Sequence, residues 1–260
     1  MLITRLKISL LQSDIRWKDP RANRGRAEEL ISDLPAADLI VLPEMFTTGF
    51  CTDPTETAEP ADSETLAWMR SVAAARNAAV GGSVATEADG RYYNRFYFVK
   101  PDGSYATYDK RHLFSFAGED KRYTAGTERV VVEHCGFRIL LQVCYDLRFP
   151  VFARNRGDYD MILYVANWPT VRISAWNALL RARAVENQCY VAGVNRTGDD
   201  PALAYDGSSA LIGFLGETVA AATPGREEAV QGEADLKALE AFRAKFPALR
   251  DADAFTLIES

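Results

Sequence analysis

Three short apolar runs, at 38–43, 138–143 and 160–165, are bounded by Asp, Arg or Pro and carry almost nothing polar inside. Continuous runs of this length are the mark of strands buried on both faces. Between them, residues 21–34, 63–78 and 174–188 place apolar side chains at helical spacing, as with Trp176, Leu179, Leu180 and Ala184 in the last. Alternating strands and helices predict the α/β class. The opening stretch MLITRLKISLL is apolar in alternation but broken by Arg5 and Lys7, which predicts a first strand rather than a signal peptide or membrane span.

The pattern also repeats. Helix 63–78, strand 79–84 and a hairpin turning at 101–103 resemble helix 174–188, strand 190–194 and a hairpin turning at 215–217. Two similar halves predict two mixed sheets packed face to face. Each outer face needs a helical cover, so the expected architecture is a four-layer α-β-β-α sandwich. No Pro/Gly/Ser-rich linker divides the chain, and residues 1–260 read as a single domain. After about residue 222 a polar segment precedes an amphipathic helix at 235–246, with Leu236, Leu239, Phe242 and Phe246 on one side and Pro247 as its stop. This tail, 223–260, packs either on its own domain or across a dimer interface.

With 48% hydrophobic residues, a chain of this length can bury one large core. The formal charge of −6 and the absence of any dense Lys/Arg run argue against nucleic acid as a partner. Four cysteines (Cys51, Cys135, Cys144 and Cys189) without a secretion signal predict reduced thiols in a cytoplasmic protein. Any of them is then available for chemistry.

Cys144 draws attention because the apolar strand before it stops abruptly and Tyr-Asp-Leu-Arg-Phe-Pro follows. A side chain at such a junction is exposed, and helix amides behind a thiol favour its thiolate. Taken alone, a cysteine beside a buried strand is as readily inert core. A histidine base is hard to supply, since the chain has only His112 and His134, and His134 falls in the turn entering that strand, at its far end from Cys144. A carboxylate is the alternative. Glu44 ends the strand 38–43 as Cys144 ends its own, and sites in α/β sheets gather at the carboxyl ends of strands. A carboxylate there can take a thiol proton and return it to departing ammonia. Lys110, following the hairpin strand 104–109, could hold a thiolate and, with the Tyr145 backbone N–H, an oxyanion. Glu119 is a loop carboxylate nearby in sequence. Each of these side chains, taken singly, also fits an ordinary surface residue.

The segments LIVLPEMFTTGF, YDKRHLF, GED and ILLQVCYDLRFP, with ANWP at 166–169 and RARAVENQCYVAGVNR at 181–196, together resemble the nitrilase superfamily over essentially the whole chain. The resemblance implies that Glu44, Lys110 and Cys144 form a catalytic triad with Glu119 as a fourth polar member, and that Tyr145 supplies an oxyanion contact. It also implies the four-layer sandwich, a homodimer and no cofactor. The sequence offers no CxxC, no HExxH and no Gly-rich phosphate loop, so no metal ligands are expected.

Within the superfamily, Cys-Tyr-Asp-Leu-Arg-Phe-Pro and the C-terminal KALEAFRAKFPALRDADAF are most similar to the bacterial ω-amidase branch. That similarity implies a small-molecule substrate, the terminal amide of a 2-oxo acid such as 2-oxoglutaramate or 2-oxosuccinamate. Arg148 suits the substrate's carboxylate, although Asp146 or Glu186 could instead pair with it structurally. Trp168 and Phe116 are candidates for the pocket wall. The rival readings are an amidase for deaminated glutathione, a nitrilase, and a non-catalytic binding protein on the same fold.

Overall fold

The computed structural model describes residues 4–257. The reading of 1–11 as a strand therefore falls partly on residues outside the described range. One sheet contains β1 (Arg5–Gln12), β2 (Leu39–Val41), β3 (Ala79–Ala88), β4 (Arg91–Val99), β5 (Tyr105–Asp109) and β12 (Glu228–Asp235). The other contains β6 (Val131–His134), β7 (Phe137–Val143), β8 (Met161–Ala166), β9 (Tyr190–Asn195), β10 (Ala210–Ile212) and β11 (Thr218–Ala221). The main helices are α1 (Pro20–Ser32), α2 (Glu64–Arg76), α3 (Ile173–Asn187) and α4 (Leu236–Lys245).

The predicted repeat is real at the level of pairing. In the order β12-β1-β2-β3-β4-β5, successive pairs are antiparallel, parallel, parallel, antiparallel and antiparallel. The order β6-β7-β8-β9-β10-β11 repeats that series. The caps repeat as well. Asn77 ends α2 and Gln188 ends α3 in the left-handed region, at φ 48° and 45°, each turning the chain into the next parallel strand.

The apolar runs are continuous because both faces of each strand are covered. Leu39, Val41, Ile139, Leu141, Leu163 and Val165 meet in one core between the sheets. The alternate residues turn outward: Ile40 and Leu42 pack with Ala27, Met69 and Ala73 of the helices, and Leu140, Ile162 and Tyr164 with Trp176, Leu180 and Ala184. The result is the four-layer α-β-β-α sandwich.

The segment after residue 222 differs from its reading as a polar connection. Residues Glu228–Asp235 form β12, an edge strand in antiparallel register with all of β1, from Arg5 opposite Asp235 to Gln12 opposite Glu228. Its sequence, EAVQGEAD, reads as polar because an edge strand stays half-exposed and buries only Ala234 fully. Helix α4 then packs on its own chain. Leu239 is buried, the Phe242 ring stacks on Phe214 at 5.0 Å, and the Arg243 guanidinium lies 2.8 Å from Asp160. Phe246 departs from the expected stripe, since it follows the last turn as the C-cap, outside helical geometry, and is 60% exposed.

Candidate active site

The carboxyl ends of β2, β5, β7 and β8 converge on one cavity of about 340 Å³ that Glu44, Lys110, Cys144 and Asn167 all line. Two backbone strains aim the side chains there. Cys144 itself has φ 44°, and Met45, just after Glu44, has φ 42°, conformations that residues with a Cβ adopt only when the surroundings hold them. The surroundings are visible. Ser83 Oγ accepts from the Met45 N–H at 2.9 Å, and Asp146 Oδ2 accepts from the Val143 N–H at 2.9 Å, closing the turn that carries Cys144.

Asp146 does more than close the turn. It also accepts from Tyr108 Oη at 2.8 Å and from the His112 N–H at 3.0 Å, and its Oδ1 lies 2.7 Å from His112 Nδ1. An Asp146→Asn protein must turn an NH2 toward groups that donate, leaving at least one buried donor unmet at a cost of about 1–3 kcal/mol. We expect a lowered thermal midpoint and a fall in kcat of at least tenfold with a smaller change in KM, measured by calorimetry and steady-state kinetics. An unchanged kcat would show that the turn holds its shape without the carboxylate.

Lys110, Glu44 and Glu119 are all fully buried. The Lys110 ammonium donates to Glu44 Oε1 at 2.9 Å and to both oxygens of Glu119, at 3.1 and 2.9 Å. Asn94 Nδ2 bridges the two carboxylates, at 2.7 Å from Glu44 Oε1 and 3.2 Å from Glu119 Oε1. Glu119 Oε2 also accepts from the Phe114 N–H at 2.6 Å, and Glu44 Oε2 from the Asn167 N–H at 2.8 Å. A carboxylate has about four acceptor positions. Glu119 uses all of them on amide and ammonium donors, whereas Glu44 keeps one on Oε2 that these leave unfilled, and its carboxylate is within hydrogen-bonding reach of the Cys144 thiol.

Burial works against the Lys110 charge, but Glu119 and Glu44 outweigh it and hold the ammonium above the ordinary lysine range. Burial also raises the Glu119 carboxyl, with Lys110 pulling it back. For Cys144 burial dominates, the Glu44 charge adds to it, and the thiol lies well above the usual cysteine range despite Lys110. This corrects the expectation of a thiolate favoured by helix amides. The residues after Cys144 form only a short 3-10 turn, Cys144–Arg148, and desolvation outweighs what its amides can offer.

The remaining sequence candidates divide. Tyr145, Arg148 and Trp168 line the cavity. The Arg148 guanidinium lies 4.8 Å over the Trp168 ring and, among the described residues, makes no ion pair. Its suggested structural partners are engaged elsewhere, Asp146 as above and Glu186 with Arg183 at 2.9 Å. Phe116 does not line the cavity. It sits on the outside of the turn Ser115–Ala117, 85% exposed, and Phe114 takes the inner position instead. Neither histidine lines the cavity, and His134 lies at the other end of β7, against the Asp38 carbonyl. Of the other thiols, Cys51 lines the cavity and Cys189 is buried behind the second sheet.

Sequence reading did not single out Asn94 or Asn167. Asn167 directly follows β8, and its side chain donates to the Glu44 carbonyl at 2.6 Å. Asn94 interrupts the aromatic run Tyr-Tyr-Asn-Arg-Phe-Tyr-Phe of β4 and is fully buried, and an amide among such neighbours was its available signal.

The Carbon-nitrogen hydrolase family model matches residues 7–244. The chain belongs to the carbon-nitrogen hydrolase family. It is a hydrolase acting on carbon–nitrogen bonds other than peptide bonds. An omega-amidase, YafV, of Yersinia enterocolitica is 50% identical over 97% of this chain and 99% of the relative. A 2-oxoglutaramate amidase of Bacillus subtilis is 35% identical over 94% of this chain and 96% of its own. A crystal structure of a CN-hydrolase superfamily protein from Xanthomonas campestris, with an arsenic adduct in its active site, is 48% identical and superposes with a TM-score of 0.95, covering 97% of this chain and 99% of that one.

Proposed function

We propose that this hydrolase is a cysteine-dependent amidase that cleaves the terminal carboxamide of a small 2-oxo acid, of the 2-oxoglutaramate or 2-oxosuccinamate type, to the acid and ammonia. The observation that carries the mechanism is the Glu44 carboxylate, with one acceptor position on Oε2 that no amide or ammonium fills, within hydrogen-bonding reach of the Cys144 thiol. When an amide enters, Glu44 takes the Cys144 proton as sulfur attacks the carbonyl carbon, and the C=O electron pair moves to oxygen. Lys110 and the Tyr145 N–H stabilise that oxyanion. The carbonyl re-forms, the C–N bond breaks, and Glu44 gives its proton to the departing ammonia. A thioester remains; water attacks it as Glu44 takes the water's proton, the C–S bond breaks, and Glu44 returns that proton to the sulfur as the acid leaves. The saturated Glu119 does none of this and holds the ammonium in place.

The substrate assignment is supported by the names of the relatives and by Arg148, whose unpaired guanidinium can grip a carboxylate through two parallel hydrogen bonds. Ammonia release tests it, measured under one set of conditions for 2-oxoglutaramate, 2-oxosuccinamate, glutamine, asparagine, deaminated glutathione and the matching nitriles. The 2-oxo acid amides are expected to give the highest kcat/KM, by at least about tenfold. A higher value for deaminated glutathione or for a nitrile would replace this assignment.

A further inference from the structure

The cavity that Arg148 lines holds a second guanidinium that sequence reading left unnoticed. Arg172 closes the turn Thr170–Arg172, stands at the N-cap of α3 and lines the same cavity. It is a poor residue for that place. N-caps favour Ser, Thr, Asp or Asn, whose side chains accept from the free helix amides. Arginine can only donate, and its charge faces the positive end of the helix. Accordingly Arg172 makes no capping bond. A local preference broken in the wall of an active site points to function.

The guanidinium lies 5.3 Å over the Phe114 ring and, among the described residues, has neither an ion pair nor a side-chain hydrogen bond. The acidic side chains of the outer wall turn to other donors. Asp200 accepts from the Ala202 and Leu203 N–H groups and from Tyr205 Oη, and Asp53 from Thr55. The two arginines are also joined through their supports. Arg148 lies over Trp168, and Trp168 Nε1 donates to the Arg172 carbonyl at 2.8 Å. A protein of net charge −6 thus lines one cavity with two guanidinium groups that, among the described residues, have no ion-pair partner.

Building on the amidase reading above, we propose that Arg172 is a specificity residue that, together with Arg148, selects a carboxylate flanked by a second oxygen acceptor. A 2-oxo acid presents adjacent carboxylate and carbonyl oxygens, all acceptors, to which two planar donor forks are suited. A 2-amino acid amide such as glutamine instead brings an ammonium next to two cations, and is rejected by charge.

The test compares wild-type, Arg172→Met and Arg172→Lys enzymes on 2-oxoglutaramate and glutamine. The ratio of their kcat/KM values should fall by about 10- to 100-fold in the methionine variant and by less in the lysine variant, which keeps the charge but not the fork. The thermal midpoint of Arg172→Met should hold or rise, because a cation leaves a helix start. Calorimetric binding of 2-oxoglutaramate to Cys144→Ala protein, with and without Arg172→Met, should show the same weakening without turnover. An unchanged ratio, or equal losses on both amides with a lowered midpoint, would overturn the role. Failure of wild-type enzyme to hydrolyse any amide would count against the amidase reading instead, and the binding arm would still decide Arg172.

Discussion

Cys144→Ala protein is expected to release no measurable ammonia from 2-oxo acid amides while folding and binding them normally. The side chain lines the cavity and packs against two apolar clusters, with its Sγ 4.0 Å from the Asn167 carbonyl. Truncation to alanine takes away one sulfur atom and leaves the Cβ in place. The turn itself is held by Asp146 and not by the thiol, so alanine can occupy the same strained position. Loss of a nucleophile that acts as a unit with its base typically costs 10⁴-fold or more. Glu44→Gln should lose a comparable factor by a different route. The glutamine oxygen can still accept from Lys110 and Asn94, but the group can no longer take the sulfur's proton. Because the resting thiol lies well above the usual cysteine range, little thiolate is present at neutral pH to bypass the base. Ammonia release and thermal denaturation of both variants check this. A rate within tenfold of wild type in either, with the fold intact, would remove the cysteine mechanism.

Much of the architecture was legible because burial on both faces writes itself into the sequence. The runs at 138–143 and 160–165 can be continuous only where one face meets the opposing sheet and the other meets α3. The edge strand β12 was not legible for the converse reason, since half-exposed residues carry no such signature. The site followed the same logic. Glu44 and Cys144 end apolar strands, and that placement marked them. Asn94 and Asn167 matter through the bonds they donate to Glu44, which only three-dimensional contact reveals. Phe116 misled because an aromatic two residues from Phe114 can equally face the cavity or solvent, and the turn geometry decides. Arg172 was hidden because an unsuitable cap is recognised only once the helix start is known.

Lys110→Met is expected to cost both activity and a large part of the stability, and more of the latter than any other single change at the site. The side chains are similar in length, so the cavity left is small. What changes is charge. Glu44 and Glu119, both fully buried and bridged by Asn94, would face each other without the ammonium that each contacts at 2.9 Å. Removing one partner of a buried ion pair costs about 3–5 kcal/mol, because the other charge stays desolvated and unpaired. At low enough pH one carboxylate takes up a proton and the two can share a hydrogen bond. The stability of the variant should then rise as the pH falls from neutrality, more steeply than in the wild-type protein, where Lys110 pulls the raised Glu119 carboxyl back. In wild type the loss tied to Lys110 has the same sign and appears only at high pH. The folded state holds Lys110 above its ordinary range, so its contribution is complete below the unfolded lysine value and is lost as the pH climbs beyond it. Double-substituted Lys110→Met/Glu119→Gln protein should recover much of the stability but none of the turnover, since the repulsion is gone and the oxyanion contact remains absent. Urea denaturation of the three proteins across pH separates these effects. A Lys110→Met protein as stable as wild type at neutral pH would show that the buried carboxylates do not depend on the ammonium.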